Sequence, residues 1–358
     1  MSTARGQSES LNGIQYLRGV AALMVVVHHA RHYYGTVPTW SNFGSAGVDI
    51  FFIISGFIMV HATRNFDPAL NRRLQALDFF ARRAIRIIPL YWLALLIQNR
   101  HTLRRGTTDP SVAYDFAFIP RFSESYPGEI YPSLIVGWTL NFEIFFYILF
   151  GASIIFGSRK YLVLVCTILL LVTVGQIWKL DSAPWRIWTG SMLGEFALGV
   201  GVYIVFAQKK WVPHTNISAA LLVVGFILLA LPNGPVPRLI ADGTISALIV
   251  WSGLHVGRAL KPQKILTILG DASYSIYLTH VFVLPYCYKI FNRLNLSEPT
   301  PTNIVFVLAA CVIACSIVGV IIYYVVEKPL LKKMTALWRH IGQPSQSALA
   351  RKASQPSA

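Results

Sequence analysis

The chain has 358 residues, of which 54% are hydrophobic and 13% are charged, and its mean hydropathy is +0.54. Because a soluble domain normally carries about 25% charged residues, this composition excludes an ordinary soluble protein and indicates an integral membrane protein. The net charge of +16 does not indicate nucleic-acid binding, since the Lys and Arg residues of a membrane protein collect at its cytoplasmic surface, beside anionic lipid.

Apolar windows long enough to cross a bilayer, about 17 to 25 residues, recur along the whole chain. They predict an all-α, polytopic integral membrane bundle with about ten transmembrane helices, at residues 14–30, 46–63, 84–98, 134–156, 161–178, 187–207, 217–231, 239–256, 268–288 and 303–326. Ten spans place both termini on one side of the membrane. The connections on that side hold 20 Lys and Arg residues against ten on the other, so we expect both termini to be cytoplasmic.

The two ends of the chain differ in composition from the part between them. Residues 1–12 are predicted to form a polar N-terminal arm, 13–335 a transmembrane domain, and 336–358, rich in Ser, Gln, Ala and Pro, a flexible tail. The first apolar run contains an arginine and a histidine pair, which is not typical of a cleavable signal, and we expect that span to be retained. The four cysteines lie in or beside apolar stretches and are interpreted as small apolar residues.

Two of the connections are distinctive. Residues 64–83 include Arg72, Arg73, Arg82 and Arg83 beside Phe79 and Phe80 and predict a short interfacial helix that leads into the third span. Residues 99–133 form the longest external loop and hold four acidic and six aromatic residues. We favour an interfacial aromatic belt as the explanation, and stacking on sugar rings stays open as the alternative.

Charged and polar residues within spans indicate where function lies, because each charge costs about 2.5 to 3.5 kcal/mol to insert. In the first span, YLRGVAALMVVVHH separates Arg18 from His29 by eleven residues, which is about three helical turns and about 16 Å. The two side chains therefore share one helix face, with Arg18 near the cytoplasmic end and His29 near the external end. An intramembrane histidine is a candidate general base, and a hydrogen-bonded packing role is the alternative.

The second span begins GVDIFFIISGF and runs inward from outside, so Asp49 enters the bilayer at about the depth of His29. A carboxylate beside an imidazole would orient it as a general base, and we predict that Asp49 does so for His29. Capping of the helix start is the alternative for this residue. Ser55 lies in no GxSxG elbow, so a serine nucleophile is not indicated.

The sequence FFARRAIRIIPLYW places Arg82, Arg83 and Arg86 at the inner mouth of the third span, with Pro89 expected to kink or break the helix just beyond. A positive-inside anchor is one interpretation of these arginines. The other is a phosphate site, because Arg83 and Arg86 are one turn apart and project together.

Glu143, in GWTLNFE, lies near mid-membrane, where its carboxylate requires an Arg, a His or a substrate as partner. Weaker candidates are His280, Glu195, His61 and Glu327, the last two of which lie at span ends where solvation at the interface suffices. The segment HHARH carries two histidines on one helical face, but neither an HExxH pattern nor a nearby carboxylate accompanies it. We therefore predict no metal site.

Five motifs occur in the order YLRG…HH, GVDIFFIISGF, RRAIRIIP, GWTLNFE and YSIYLTH. Together they resemble the acyltransferase 3 family of bacterial membrane O-acyltransferases, over about residues 11–335, and most of all its exopolysaccharide acetyltransferase (ExoZ-type) branch. The family's activity-associated motifs fall on Arg18, His29, the Arg83–Arg86 pair and Glu143 of this chain. The departures are His28, where an aromatic or aliphatic residue is usual, and GWTLNFE in place of the commoner serine-containing form.

The resemblance implies an enzyme of a bacterial inner membrane that moves an acyl group, with acetyl expected, from cytosolic acyl-CoA to a hydroxyl of an exported polysaccharide or its lipid-linked precursor. It implies that Arg83, Arg86 and Arg82 bind the nucleotide of acyl-CoA, that His29 is the base, and that Glu143 holds the acceptor or balances Arg18. Recognition of the acceptor is expected from the membrane domain itself. The alternative function is a membrane transporter of glycan or acyl groups, in which the same polar residues line a path.

Overall fold

The computed structural model describes residues 11–34, 43–66, 71–104, 110–178, 180–208, 212–232 and 234–353, with side chains described up to 341. Every regular element in these ranges is helical, and none of their residues lies in a strand. The predicted all-α fold class is therefore confirmed for the described chain. The first ten residues of the predicted N-terminal arm and the last five of the predicted tail lie outside the described residues.

The described chain contains fifteen α-helices. Their bounds are α1 Asn12–Ala30, α2 Ala46–Ala62, α3 Arg72–Gln98, α4 Arg100–Arg104, α5 Pro110–Phe116, α6 Trp138–Ser153, α7 Lys160–Ile177, α8 Ala183–Trp188, α9 Leu193–Ala207, α10 Thr215–Leu229, α11 Thr244–Ala259, α12 Lys264–Asp271, α13 Ser273–Arg293, α14 Pro301–Ile322 and α15 Lys328–Ala353. Short 3-10 turns cover Arg31–Tyr34, Ile135–Gly137 and Ile154–Arg159, and π-helical turns cover Leu239–Gly243 and Tyr323–Glu327.

Four helical stretches are long and apolar enough to cross a membrane, namely Ile135–Ile177, Ala183–Ala207, Leu239–Ala259 and Pro301–Ile341. Two shorter helices, Ala46–Ala62 and Thr215–Leu229, are also apolar. Many of their large apolar side chains are exposed, such as Leu170 in α7 and Val305 in α14, at 63% and 68%. Contiguous exposed apolar surface of this kind fits contact with lipid tails rather than with water.

The third predicted span is part of a longer helix. α3 begins after Asn71, whose side chain accepts a hydrogen bond from the Arg73 amide, and continues for 27 residues, which is about 40 Å. Residues 72–83, part of the segment predicted to form a short interfacial helix, are therefore continuous with the span. Pro89 lies inside α3 and does not end it, because loss of one backbone donor is tolerated where neighbouring helices support the chain.

The last helix, α15, has a helical backbone as far as Ala353, and so extends into the segment that composition assigns to a flexible tail. A helical backbone can belong to a flexible or to a rigid segment, so the flexible tail stays a prediction. The predicted division of the chain at residues 12 and 335 also stays a prediction. The side chain of Trp338 donates to Asp78 Oδ1 of α3 at 2.9 Å. This bond ties the middle of α15 to the second turn of α3.

α1 lies at the centre of the bundle, where it contacts α2, α11, α12, α13 and α14. Several helix pairs approach closely at glycines. A methyl group added at Gly199 of α9 would lie 2.2 Å from the Ile53 carbonyl oxygen of α2, and one at Gly56 would lie 2.2 Å from the Phe196 carbonyl oxygen. Such small-residue contacts let helix backbones touch, which is a common way for helices to associate in a membrane.

Candidate active site

A cavity of about 450 Å³ occupies the half of the bundle at which α1 begins. Its walls come from α1, α2, α3, α6 and α13, and three of its lining side chains are arginines against one carboxylate. Its polar lining residues include Gln15, Arg18, Ser55, Arg83, Arg86, Glu143, Tyr147, Tyr274 and Tyr277. The cavity is therefore a basic chamber inside an apolar bundle, and such a chamber favours an anionic ligand.

Two of the cavity arginines are held by neighbours. Arg18 donates from Nη1 to Gln15 Oε1 at 3.2 Å. Arg86 Nη1 lies 2.8 Å from Glu327 Oε1, and Glu327 Oε2 accepts from Ser275 Oγ at 2.5 Å. Glu327 is 2% exposed, so the sequence-based interpretation that solvation at the interface suffices for this residue is wrong.

Arg83 differs from both, because its Nε is buried and has no hydrogen-bond partner within the described residues. A buried, unpaired donor of a charged group is costly unless a ligand completes it. The side chain lines the cavity beside Arg86, as the one-turn spacing of the two residues predicts. The two arginines can therefore meet one anionic group.

Arg82 is not brought to the cavity. Its guanidinium is 55% exposed, and its Nε donates to Asp78 Oδ2 at 2.7 Å, one helical turn earlier on α3. Arg82 is absent from the cavity lining. Of the three arginines that the sequence assigns to nucleotide binding, the structure thus gathers two around the chamber.

The Glu143 carboxylate is satisfied by hydroxyl groups. Glu143 Oε1 accepts from Ser55 Oγ at 3.1 Å and from the Tyr147 hydroxyl, and Ser55 Oγ lies 3.3 Å from the Tyr147 oxygen. All three side chains line the cavity. The sequence predicts an Arg, His or substrate partner for Glu143 but misses Ser55 and Tyr147, although the i, i+4 spacing from Glu143 to Tyr147 was a usable signal.

His29 lies about three turns further along α1 than Arg18 and is not part of the cavity lining. Its Nδ1 is 3.0 Å from the Val25 carbonyl oxygen and 3.1 Å from Nε2 of His280 on α13. The two imidazole centroids are 4.9 Å apart. His280, a weaker candidate from the sequence, is therefore the direct neighbour of the strongest one.

The predicted pairing of Asp49 with His29 is wrong. The Asp49 carboxylate accepts from Arg238 Nε at 3.0 Å and from Arg238 Nη2 at 2.6 Å, and Asp49 is fully buried. A bidentate guanidinium is a stronger partner for a buried carboxylate than a neutral imidazole. Arg238 Nη2 also donates to the Ser45 carbonyl oxygen at 3.2 Å, so this pair fixes the start of α2.

The cavity stops short of His29. Tyr277 and Phe51 line its inner end, with ring centroids 6.0 Å apart, and the Tyr277 hydroxyl donates to the Val136 carbonyl oxygen at 2.8 Å. The Tyr277 ring is in turn 6.0 Å from the His280 ring. Tyr277 is therefore shared by the cavity wall and the histidine pair, and it separates the two.

The structure combines a polar chamber with a histidine pair, of which His280 is buried and His29 is half-buried, at different positions in one apolar helical bundle. This arrangement is a candidate membrane-embedded active site. The chain belongs to the acyltransferase 3 family, because a family model described as an acyltransferase domain matches residues 11–323. The resemblance inferred from the five motifs is confirmed, and the protein is a membrane acyltransferase. Within the described residues, no group of three or more His, Cys, Asp or Glu side chains is arranged to hold a metal ion.

Curated relatives fit this assignment. The chain is 33% identical to the exopolysaccharide production protein ExoZ of Rhizobium meliloti, over 81% of this chain and 90% of that protein. It is 22% identical to the acyltransferase MdmB of Streptomyces mycarofaciens, over 82% of each. It is also 22% identical to the peptidoglycan O-acetyltransferase OatA of Listeria monocytogenes, over 78% of this chain but only 50% of that protein. No solved structure matches the chain.

Proposed function

We propose that this protein is an O-acyltransferase that moves an acyl group, with acetyl expected, from cytosolic acyl-CoA to a hydroxyl of an exported polysaccharide or its lipid-linked precursor. The observation that carries the proposal is the placement of an arginine-lined cavity and His29 at different depths along the same helix, α1. The ExoZ relative is a protein of exopolysaccharide production and OatA is an O-acetyltransferase of peptidoglycan, which supports a glycan acceptor and an acetyl group.

The donor is acyl-CoA because its phosphates suit the chamber. Arg83, with a buried and unpaired Nε, and Arg86, held in place by Glu327, bind the phosphates through charge-assisted hydrogen bonds. The volume of about 450 Å³ is in the range of small-ligand sites. The pantetheine arm extends from these arginines past Arg18 and Glu143 toward the inner end of the cavity.

His29 is the general base. In direct transfer, the acceptor hydroxyl oxygen forms a bond to the acyl carbon while the bond from that carbon to sulfur breaks. The hydroxyl proton passes to the His29 imidazole and from there to the leaving CoA thiolate. A positioned base of this kind contributes about 10²- to 10⁴-fold to the rate. Glu143 stays an acceptor-holding or charge-balancing residue in this scheme, and Asp49 acts through Arg238 as a structural residue.

The thioester reaches His29 only when the wall formed by Phe51 and Tyr277 opens. Both rings line the cavity, and the Tyr277 ring also lies 6.0 Å from the His280 ring. A rotation of the Tyr277 side chain breaks its hydrogen bonds to Val136 and Thr139. Closure of this wall in the absence of donor keeps water on the external side out of the chamber. Such gating by a few side chains is common at enzyme sites that exclude water.

The proposed arrangement in the bacterial inner membrane has ten spans with both termini cytoplasmic. Each predicted span coincides with one or more observed helices, and the 20-to-10 distribution of Lys and Arg supports the orientation. The start of α1, and with it the arginine chamber, then faces the cytosol where acyl-CoA is made. Family membership favours this enzyme over the alternative of a transporter.

The test is mass spectrometry of the host's exported polysaccharide with and without the gene. Loss of ester-linked acetyl on deletion, restored by the wild-type gene but not by His29→Ala, is the expected result. The control is His214→Ala, an exposed histidine whose side chain caps no helix, which should restore acetylation fully. Acetylation that is unchanged by deletion, or restored by His29→Ala, would contradict the proposal, and loss of polysaccharide export would indicate the transporter.

A further inference from the structure

The buried histidine on α13 has a defined tautomer. His280 Nδ1 lies 2.6 Å from the Tyr277 carbonyl oxygen, and a carbonyl oxygen can only accept a hydrogen bond. Nδ1 of His280 therefore carries the proton. Because His280 is 0% exposed and burial without a counter-charge disfavours an imidazolium, the ring is neutral and its Nε2 carries a lone pair.

That lone pair determines which ring nitrogen of His29 carries the proton. His29 Nδ1 is 3.0 Å from the Val25 carbonyl oxygen and 3.1 Å from His280 Nε2, and both of these atoms are acceptors. His29 Nδ1 must therefore be the protonated nitrogen and donate to both. By elimination, Nε2 of His29 carries the lone pair and is the nitrogen able to take a proton.

We infer that His280 is a positioning residue that accepts the Nδ1–H of His29, so that His29 reacts through Nε2. The inference rests on the proposed function, in which His29 is the general base. When His29 gains the proton of the acceptor hydroxyl, its Nδ1–H becomes the donor of a charged group, and the bond to His280 strengthens. The bond to His280 thus contributes more to the transition state than to the resting enzyme, which predicts an effect on kcat rather than on KM.

A second contact of α13 supports a positioning role. The Tyr288 hydroxyl, eight residues after His280, donates to the His29 carbonyl oxygen at 3.0 Å. α13 therefore holds both the backbone and the imidazole of His29. A histidine that merely filled space between α1 and α13 would not need this orientation of its ring nitrogens.

The experiment measures transfer of label from radioactive acetyl-CoA to endogenous glycan in membranes that carry His280→Leu or His280→Gln. His280→Leu removes one of the two acceptors of the His29 Nδ1–H and leaves the Val25 carbonyl oxygen. We expect kcat to fall about 10- to 100-fold with an unchanged KM for acetyl-CoA. His280→Gln keeps an acceptor oxygen at similar reach and should recover a large part of the rate. The matched control is His255→Leu, which replaces another buried intramembrane histidine, one whose Nε2 has no partner within the described chain, and should keep kcat.

Three results would overturn the inference: wild-type kcat in His280→Leu, an equal loss of kcat in the Leu and Gln variants, or a change confined to KM. A parallel His29→Ala sample separates the two proposals. If His29→Ala transfers label at the wild-type rate, the assignment of the base fails. If His29→Ala is inactive and His280→Leu is fully active, only the present inference fails.

A measurement on the wild-type protein covers the case in which His280→Leu does not fold. Nitrogen-15 spectra of histidine-labelled protein in bilayers distinguish Nδ1-protonated from Nε2-protonated rings, and the His29 signal is identified by its loss in His29→Gln. We expect a neutral His29 with the proton on Nδ1. A His29 ring protonated on Nε2 alone would overturn the inference.

Discussion

Arg82 and Arg83 are adjacent in the sequence and have different surroundings in the fold. Arg82 pairs with Asp78 on the exposed side of α3, whereas Arg83 turns a buried, unpaired Nε toward the chamber. Of these two neighbouring arginines, Arg82 is thus a surface charge and Arg83 is a candidate binding residue for an anionic group. The structure therefore predicts unequal effects for the same substitution at the two positions.

We expect Arg83→Gln to raise KM for acetyl-CoA about tenfold or more, because a charge-assisted hydrogen bond to phosphate is worth about 1.5 to 3 kcal/mol. The wild-type KM should rise with salt, and the salt dependence should weaken in the variant. Arg82→Gln should change KM by less than about twofold, as is usual for an exposed pair. Kinetics of label transfer at several acetyl-CoA and salt concentrations measure both effects, and equal KM values for the two variants would refute the assignment.

We expect Asp49 to contribute to the stability of the fold and not directly to catalysis. Asp49→Asn removes the nearest carboxylate of Arg238 and leaves Asp242 Oδ2 at 4.0 Å. Loss of one partner of a buried ion pair costs about 3 to 5 kcal/mol, and the second carboxylate lowers that cost. We predict a lower thermal midpoint in detergent, with near wild-type transfer per folded molecule. The exposed Asp181 provides the control substitution, Asp181→Asn, which should not shift the midpoint.

The opposite pattern for Asp49→Asn, an unchanged midpoint with a large loss of kcat, would restore the sequence-based hypothesis that Asp49 orients His29. That hypothesis came from depth alone, and depth could not reveal Arg238, which is 189 residues away along the chain. The same limitation applies to His280, since YSIYLTH shows polar residues in a span but not which helix they face. The structure places Arg18, Arg83, Arg86 and Glu143 around one chamber. The one-turn spacing of Arg83 and Arg86 predicts that these two project together, whereas their grouping with Arg18 and Glu143 depends on how the helices pack.

Helix contacts in this bundle depend on glycine, and α9 offers an internal comparison. Gly199→Ala places a methyl group 2.2 Å from the Ile53 carbonyl oxygen, whereas a methyl group at Gly201 has nothing within 4 Å. We predict that Gly199→Ala destabilises the protein by about 1 to 3 kcal/mol through overpacking of α2 against α9. Gly201→Ala should be neutral or slightly stabilising, because Ala favours the helix.

The measurement for this pair is the thermal midpoint of each purified variant, followed by fluorescence-detected size exclusion. Equal midpoints for Gly199→Ala and Gly201→Ala would mean that α2 and α9 do not touch backbone to backbone. The sequence alone could not predict that Gly199 contacts another helix and Gly201 does not, because both lie in the same apolar run. Only the position of α2 in the fold distinguishes them.

Helix bounds were predictable where a span is uniformly apolar and less so elsewhere. The predicted span 217–231 and the observed α10, Thr215–Leu229, agree within two residues. The predicted span 187–207 is instead divided between α8 and α9, and the predicted span 268–288 begins within α12 and continues in α13. In α3, arginines extend the helix beyond its apolar window, because long side chains cover apolar surface while their charges reach the interface.

Across the molecule as a whole, composition predicts the helical fold class that the structure shows in the described residues, and the charge distribution predicts an orientation that needs its own test. We predict that green fluorescent protein fused to the C-terminus fluoresces and that alkaline phosphatase inserted after Tyr126, in the loop predicted to be external, is active. Reporter activity in intact cells gives the result. An active phosphatase at the C-terminus would invert the orientation and place the arginine chamber on the wrong side for cytosolic acyl-CoA.

The account depends on a donor that enters at the start of α1 and an acceptor that meets His29 from the other face. Radioactive acetyl-CoA supplied to sealed vesicles of both orientations tests this arrangement, with label on endogenous glycan as the readout. Inside-out vesicles, which expose the cytoplasmic face, should label glycan, and vesicles carrying Arg83→Gln should do so weakly at low donor concentration. Labelling confined to right-side-out vesicles, or equal in both orientations, would contradict the account.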